Sequence, residues 1–158
     1  MRDGVDCPIC WVKCTAVRQI GTKDVTEYDC PRCGDYSITR PALINLENSD
    51  MSKKDRAKVA AYLRERTLRG DSRIRILSQH FPDKEFDVPV VTLDEIVRYR
   101  FPNAISDRLD RALRNLHRLS EHLGDEIFLD PEIDGPVCLQ SIETPLTLSR
   151  RHCKKLAG

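Results

Sequence analysis

Two Cys-x-x-Cys pairs, Cys7-Pro8-Ile9-Cys10 and Cys30-Pro31-Arg32-Cys33, stand nineteen residues apart near the start of the 158-residue chain. This spacing restricts what the chain can fold into more than any other feature. Each pair bends the backbone into a tight knuckle that turns two sulfurs toward one point. Two knuckles joined by a hairpin supply four thiolates in the tetrahedral shell that Zn²⁺ prefers. Gly34, just after the second knuckle, suits a backbone position with φ > 0, and Pro8 and Pro31 stiffen the turns. The spacing predicts Cys7, Cys10, Cys30 and Cys33 as the ligands of one structural zinc. Four protein ligands leave no coordination position for a substrate, so the expected role is that of a staple.

A module of about forty residues buries too little apolar surface to fold without such a metal. The rest of the chain is long enough for a modest core of its own. With 40% hydrophobic and 32% charged residues the composition is that of a polar globular protein. No apolar run reaches membrane-spanning length, and Met1-Arg2-Asp3-Gly4 lacks the apolar core of a signal peptide. A reducing, cytoplasmic setting is expected for thiolates held by metal. Three of the seven cysteines, Cys14, Cys138 and Cys153, remain outside the set, and an odd remainder argues against a disulfide framework.

Val12–Ile20 and Val25–Tyr28 are rich in β-formers and read as a hairpin turning through Gly21-Thr22-Lys23-Asp24, with Tyr36–Thr39 as a third strand. Trp11 and Tyr36 are expected to pack over the metal. Arg40-Pro41 breaks the strand and opens a short helical or loop segment to Asn48. Asp50 or Ser52 caps a longer helix that ends at Gly70, with Val59, Tyr62 and Leu63 on its apolar face. Alternation in Arg73–Leu77 favours a strand or short edge segment, and residues 81–91 read as a surface connector. Thr92-Leu93-Asp94-Glu95 is a capping box for a short helix stopped by Phe101-Pro102. From about Ala104 to Leu123 an amphipathic helix carries Ile105, Leu109, Ala112, Leu113, Leu116, Leu119 and Leu123 on one face. Beyond it, 127–129 and 137–139 read as short strands of a hairpin or wing.

The net charge of +1 hides an uneven distribution, because residues 49–80 carry nine basic and four acidic side chains. Lys53, Lys54, Arg56, Lys58, Arg64, Arg66, Arg69, Arg73 and Arg75 form a basic region that follows the cysteine module, and they are candidate phosphate contacts. Catalytic signals are missing: no phosphate-binding glycine loop, nucleophile elbow, His-Glu-x-x-His or deaminase pattern occurs. With four histidines, at 80, 117, 122 and 152, general acid–base catalysis is poorly supplied. The chain is therefore expected not to be an enzyme.

Cys7-Pro-Ile-Cys10 with Cys30-Pro-Arg-Cys33-Gly34 resembles the zinc-ribbon class over residues 7 to about 40. That resemblance implies a folded knuckle pair that contacts nucleic acid or protein, with the four cysteines as ligands. The run from Cys30 to Thr39, followed by Ala61-Tyr62-Leu63-Arg64-Glu65, is similar to the front ends of bacterial multidomain proteins, some of them in defence systems. The knuckle pair also resembles rubredoxin, an iron electron carrier, since four thiolates accept either metal. The expected architecture is α+β: a three-stranded zinc ribbon over 1–48, then a mainly helical, winged-helix-like region over 49–158. The expected function is a zinc-binding, non-catalytic module that binds or senses nucleic acid, DNA or RNA, through its basic helical region. The alternatives are a protein-interaction adaptor or regulatory subunit that meets an acidic surface and, more distantly, an electron carrier.

Overall fold

The computed structural model describes residues 4–21, 24–81, 85–100, 102, 104–120, 127, 129 and 130. Within them the chain forms a five-stranded sheet with helices packed on it, in a mixed α+β arrangement. The first three strands are β1 (Ala16–Ile20), β2 (Val25–Cys30) and β3 (Gly34–Thr39), paired antiparallel. Gly21, at φ +66°, starts the β1–β2 turn as its flexibility allows. The register sets Tyr28 opposite Tyr36 and Cys30 opposite Gly34, which closes the second knuckle at the end of the β2–β3 ladder.

Pro41 sits in the first turn of α1 (Arg40–Glu47), where its missing N–H costs no hydrogen bond. α2 (Lys53–Leu68) is capped by Ser52, whose hydroxyl accepts from the Asp55 N–H at 3.1 Å. Val59, Ala60, Ala61 and Leu63 are buried along α2. The helix lies on β3, and the chain then returns as β4 (Ile74–Leu77), parallel to β3. The segment 78–89 joins β4 to β5 (Val90–Thr92), which adds parallel at the far edge. Arg73–Leu77 thus supplies an interior strand rather than an edge one. The connector expected over 81–91 ends in a strand at its last two residues.

Thr92 caps α3 (Leu93–Glu95), accepting from the Glu95 N–H at 3.1 Å, and the helix runs on as a π-helical turn over Ile96–Arg100. It stops ahead of Pro102 as the sequence predicts. α4 (Ile105–Leu119) completes the described elements.

One core cluster runs from Cys7 and Ile9 through Tyr36, Ile38, Leu46, Leu63 and Ile76 to Val91 and Ile96. α4 stands differently from the expectation. Its buried positions are Arg108, Ala112 and Asn115, while Ile105, Leu109 and Leu113 are 61%, 46% and 64% exposed. The reason lies in α2, which presents the nearly buried carboxylate of Glu65 to α4 and receives Arg111 Nη1 at 3.3 Å. A carboxylate held away from water has to be met by donors, so the docked face of α4 carries Arg108 and Arg111 beside Ala112 and Asn115, with Leu116 and Leu119 half-buried, while Ile105, Leu109 and Leu113 face outward. The wing expected over 127–129 and 137–139 falls, apart from Ile127 and Leu129, outside the described residues, as do Leu123, Cys138 and Cys153.

Candidate metal centre

The first knuckle is built on backbone bonds. The Cys7 N–H donates to the Val12 carbonyl (2.9 Å) and the Trp11 N–H to the Cys7 carbonyl (2.8 Å), while Asp6 and Lys13 form an isolated antiparallel bridge. Closing this turn puts Trp11 at φ +60°, an uncommon conformation for a large side chain. At the second knuckle the Cys33 N–H donates to Cys30 Sγ at 3.3 Å. Gly34 follows at φ +81°, and a Cβ there would overlap the Thr67 side chain of α2. Thr67 Oγ1 in turn accepts from the Asp35 N–H at 3.0 Å, tying α2 to the start of β3.

The sulfurs of Cys7, Cys10, Cys30 and Cys33 all lie within 4.8 Å of one another. Cys7 and Cys33 are 3.8 Å apart, and Cys10 and Cys30 are 3.5 Å apart. A tetrahedron with metal–sulfur bonds of about 2.3 Å has edges of roughly 3.8 Å, so the cluster has the dimensions to hold a metal ion. Cys7 and Cys33 are fully buried, Cys30 nearly so, and Cys10 is the most accessible of the four.

Crowding four thiols into this space sets their proton affinities. Hydrogen bonds from Cys10, Cys30 and Cys33 hold Cys7 far below the usual thiol range. Contacts with Cys10 and Cys33 bring Cys30 down to about 7. Cys10 and Cys33 are pushed up, because their protons are the ones shared with the sulfurs that ionise first. Such a set gives up its remaining protons when a cation takes their place. Cys14 is buried next to the cluster, its N–H bonded to the Val5 carbonyl at 3.0 Å, and burial pushes its thiol up to about 12.

Tyr36 packs against the cluster as the sequence suggests, fully buried, with its hydroxyl 3.0 Å from Cys7 Sγ. Trp11 does not cover the metal site. It is 58% exposed and carries the Arg56 guanidinium 4.8 Å from its ring centroid. The same guanidinium donates to the Pro8 carbonyl (2.8 Å) and more weakly to the Leu46 carbonyl (3.4 Å), so it joins the first knuckle, α1 and α2. Neither the Arg56 bridge nor the Gly34–Thr67 approach carries a local sequence signal. Arg56 lies forty-eight positions from Pro8, and Thr67 thirty-three from Gly34.

At least five of the nine basic residues pair with carboxylates within the chain. Lys58 pairs with Asp55 (3.1 Å), Arg66 and Arg69 with Asp71 (3.5 and 2.7 Å), and Arg75 with Asp87 (3.4 Å). Arg73 reaches Asp29 at 2.7 Å on β2. Arg64 is half-buried on α2, whereas Lys53 and Lys54 are exposed on its first turn beside Arg56. No helix among the described residues is long and apolar enough to cross a membrane. No protein-family model, curated protein or solved structure matches this chain.

Proposed function

We propose that the chain is a zinc-binding, non-catalytic module whose metal staples the knuckles to the sheet and which contacts nucleic acid beside the first knuckle. The observation that carries the zinc reading is the sulfur tetrahedron. An all-thiolate set of this size suits Zn²⁺, and a closed shell of four protein ligands supports a structural rather than a catalytic role.

The exposed Trp11, already stacked on Arg56, supports the nucleic-acid reading, with Lys53 and Lys54 on the adjacent turn of α2. Aromatic faces stack on unpaired bases and cations nearby take the phosphates. This narrows the expected basic region to its amino-terminal end, because most of the remaining arginines serve ion pairs within the chain. The experiment is a metal assay on protein purified without added metal, with the ultraviolet absorbance ratio read on the same sample. One zinc per chain, and binding to a single-stranded oligonucleotide that weakens steeply with salt, support the reading. Trp11→Ala is expected to weaken that binding by about 5-fold or more, from a stacking contribution of roughly 1–3 kcal/mol per base. Zinc with a clean protein spectrum and no oligonucleotide binding sinks the nucleic-acid half, and iron in place of zinc favours an electron carrier.

A second reading, a protein-interaction adaptor, is favoured by the outward stripe of Ile105, Leu109 and Leu113 on α4. Association with a protein partner that persists at high salt supports it over the first.

A further inference from the structure

The phenol of Tyr36 is fully buried, and its one hydrogen-bonding contact among the described residues is Cys7 Sγ at 3.0 Å. A metal-bound Cys7 is a thiolate with no proton to give, so the bond has a single direction: the phenol donates and the sulfur accepts. The ring is held for this task. Tyr36 lies directly opposite Tyr28 in the β2–β3 register, and the two rings stack with centroids 5.3 Å apart and planes 14° from parallel. From β3 the hydroxyl therefore reaches the sulfur without side-chain freedom to spend.

Four thiolates around Zn²⁺ leave a net charge of −2 on a largely buried cluster. Charge removed from water has to be spread over donors. Among the described residues, Cys30 receives a hydrogen bond from the Cys33 N–H, within its own knuckle, and Cys7 receives one from Tyr36, twenty-nine residues away. The second is the only one of the two that a side-chain change can delete.

We infer that Tyr36 is a positioning residue of the metal centre, its hydroxyl donating to the Cys7 thiolate so as to lower that sulfur's charge and fix it toward the metal. This rests on the zinc reading above. Partners of metal ligands commonly change metal affinity by about 10- to 100-fold when removed, and a loss in that range is expected here. A thiolate relieved of a hydrogen bond also gives up electron density more easily, so its charge-transfer band to a bound metal moves to longer wavelength.

The experiment compares the full chain with Tyr36→Phe and Tyr28→Phe, each loaded with Co²⁺ for spectra and titrated with Zn²⁺ against a competing chelator. Tyr28→Phe removes a hydroxyl from the same stacked pair without touching a ligand. The expected result is a band shifted to longer wavelength and weaker zinc binding in Tyr36→Phe alone. Unchanged spectrum and affinity in Tyr36→Phe overturn the inference while the zinc reading stands. Failure of the unsubstituted chain to bind either metal overturns both. A direct check needs no substitution: with the spin-half cadmium isotope bound, the Tyr36 hydroxyl proton shows scalar coupling to the metal across the O–H···S bond. A hydroxyl proton that is observed but uncoupled overturns the inference.

Discussion

At Gly34 the second knuckle comes up against α2. The glycine's φ of +81° already excludes most side chains, and the space a Cβ needs is filled by Thr67. Gly34→Ala is expected to destabilise the protein by about 2–4 kcal/mol, combining left-handed strain with displacement of α2, as read by denaturant titration. Trp11 presents the opposite case, a large residue at φ +60° with most of its surface in water. Trp11→Gly relieves backbone strain of roughly 1–2 kcal/mol while losing a cation–π contact of about 0.5–1 kcal/mol. Its stability should therefore stay within about 1 kcal/mol of the parent, while oligonucleotide binding weakens by about 5-fold or more. Tyr28 sets a pH limit. Burial raises its phenol to about 12 from 10, so the folded state keeps a proton that the unfolded chain releases. Stability contributed by the protonated phenol is complete below pH 10 and falls between pH 10 and 12, by up to about 2–3 kcal/mol. Spectrophotometric titration of the phenolate alongside circular dichroism checks this. The four cysteines were legible because their spacing is itself the chemistry. The surroundings of the Trp11 ring were not, since it lies against an arginine forty-five positions later.

Among the elements, those with end signals were the readable ones. Ser52 and Thr92 cap where the sequence placed caps, and Arg40-Pro41 marks the passage from β3 into α1. β5 lacked such a signal, being three residues long. The parallel pairing of β4 was also hidden, because a short alternating run does not encode which strand lies beside it. α4 shows the limit of periodicity: the docked face takes Ala112 from the apolar stripe but Arg108 and Asn115 from beside it, and Arg111 meets Glu65 on another helix. The double variant Leu109→Glu with Leu113→Glu is expected to change unfolding free energy by less than about 1 kcal/mol, since both positions are already solvated. If the adaptor reading holds, the same variant loses its protein partner. A large loss of stability would instead mean that another part of the chain covers the stripe.

At the scale of the whole molecule, the four-cysteine cluster and the sheet share one core among the described residues, from Cys7 to Ile96. Removing the metal with a strong chelator is therefore expected to lower the stability of α2 along with that of β1–β3. Helical circular dichroism and tyrosine fluorescence should follow one transition. Two separated transitions would instead divide the chain into independent units near residue 48. The strand order in the sheet, β1-β2-β3-β4-β5, is also the order in the sequence. Among the described residues, no strand has to be threaded between two that are already paired. As the chain leaves a ribosome, each new strand meets an edge laid down just before it, and both knuckles are complete before β3 begins. The cysteine pairs can thus act as a template, since a metal captured early offers every later strand a formed edge on which to grow.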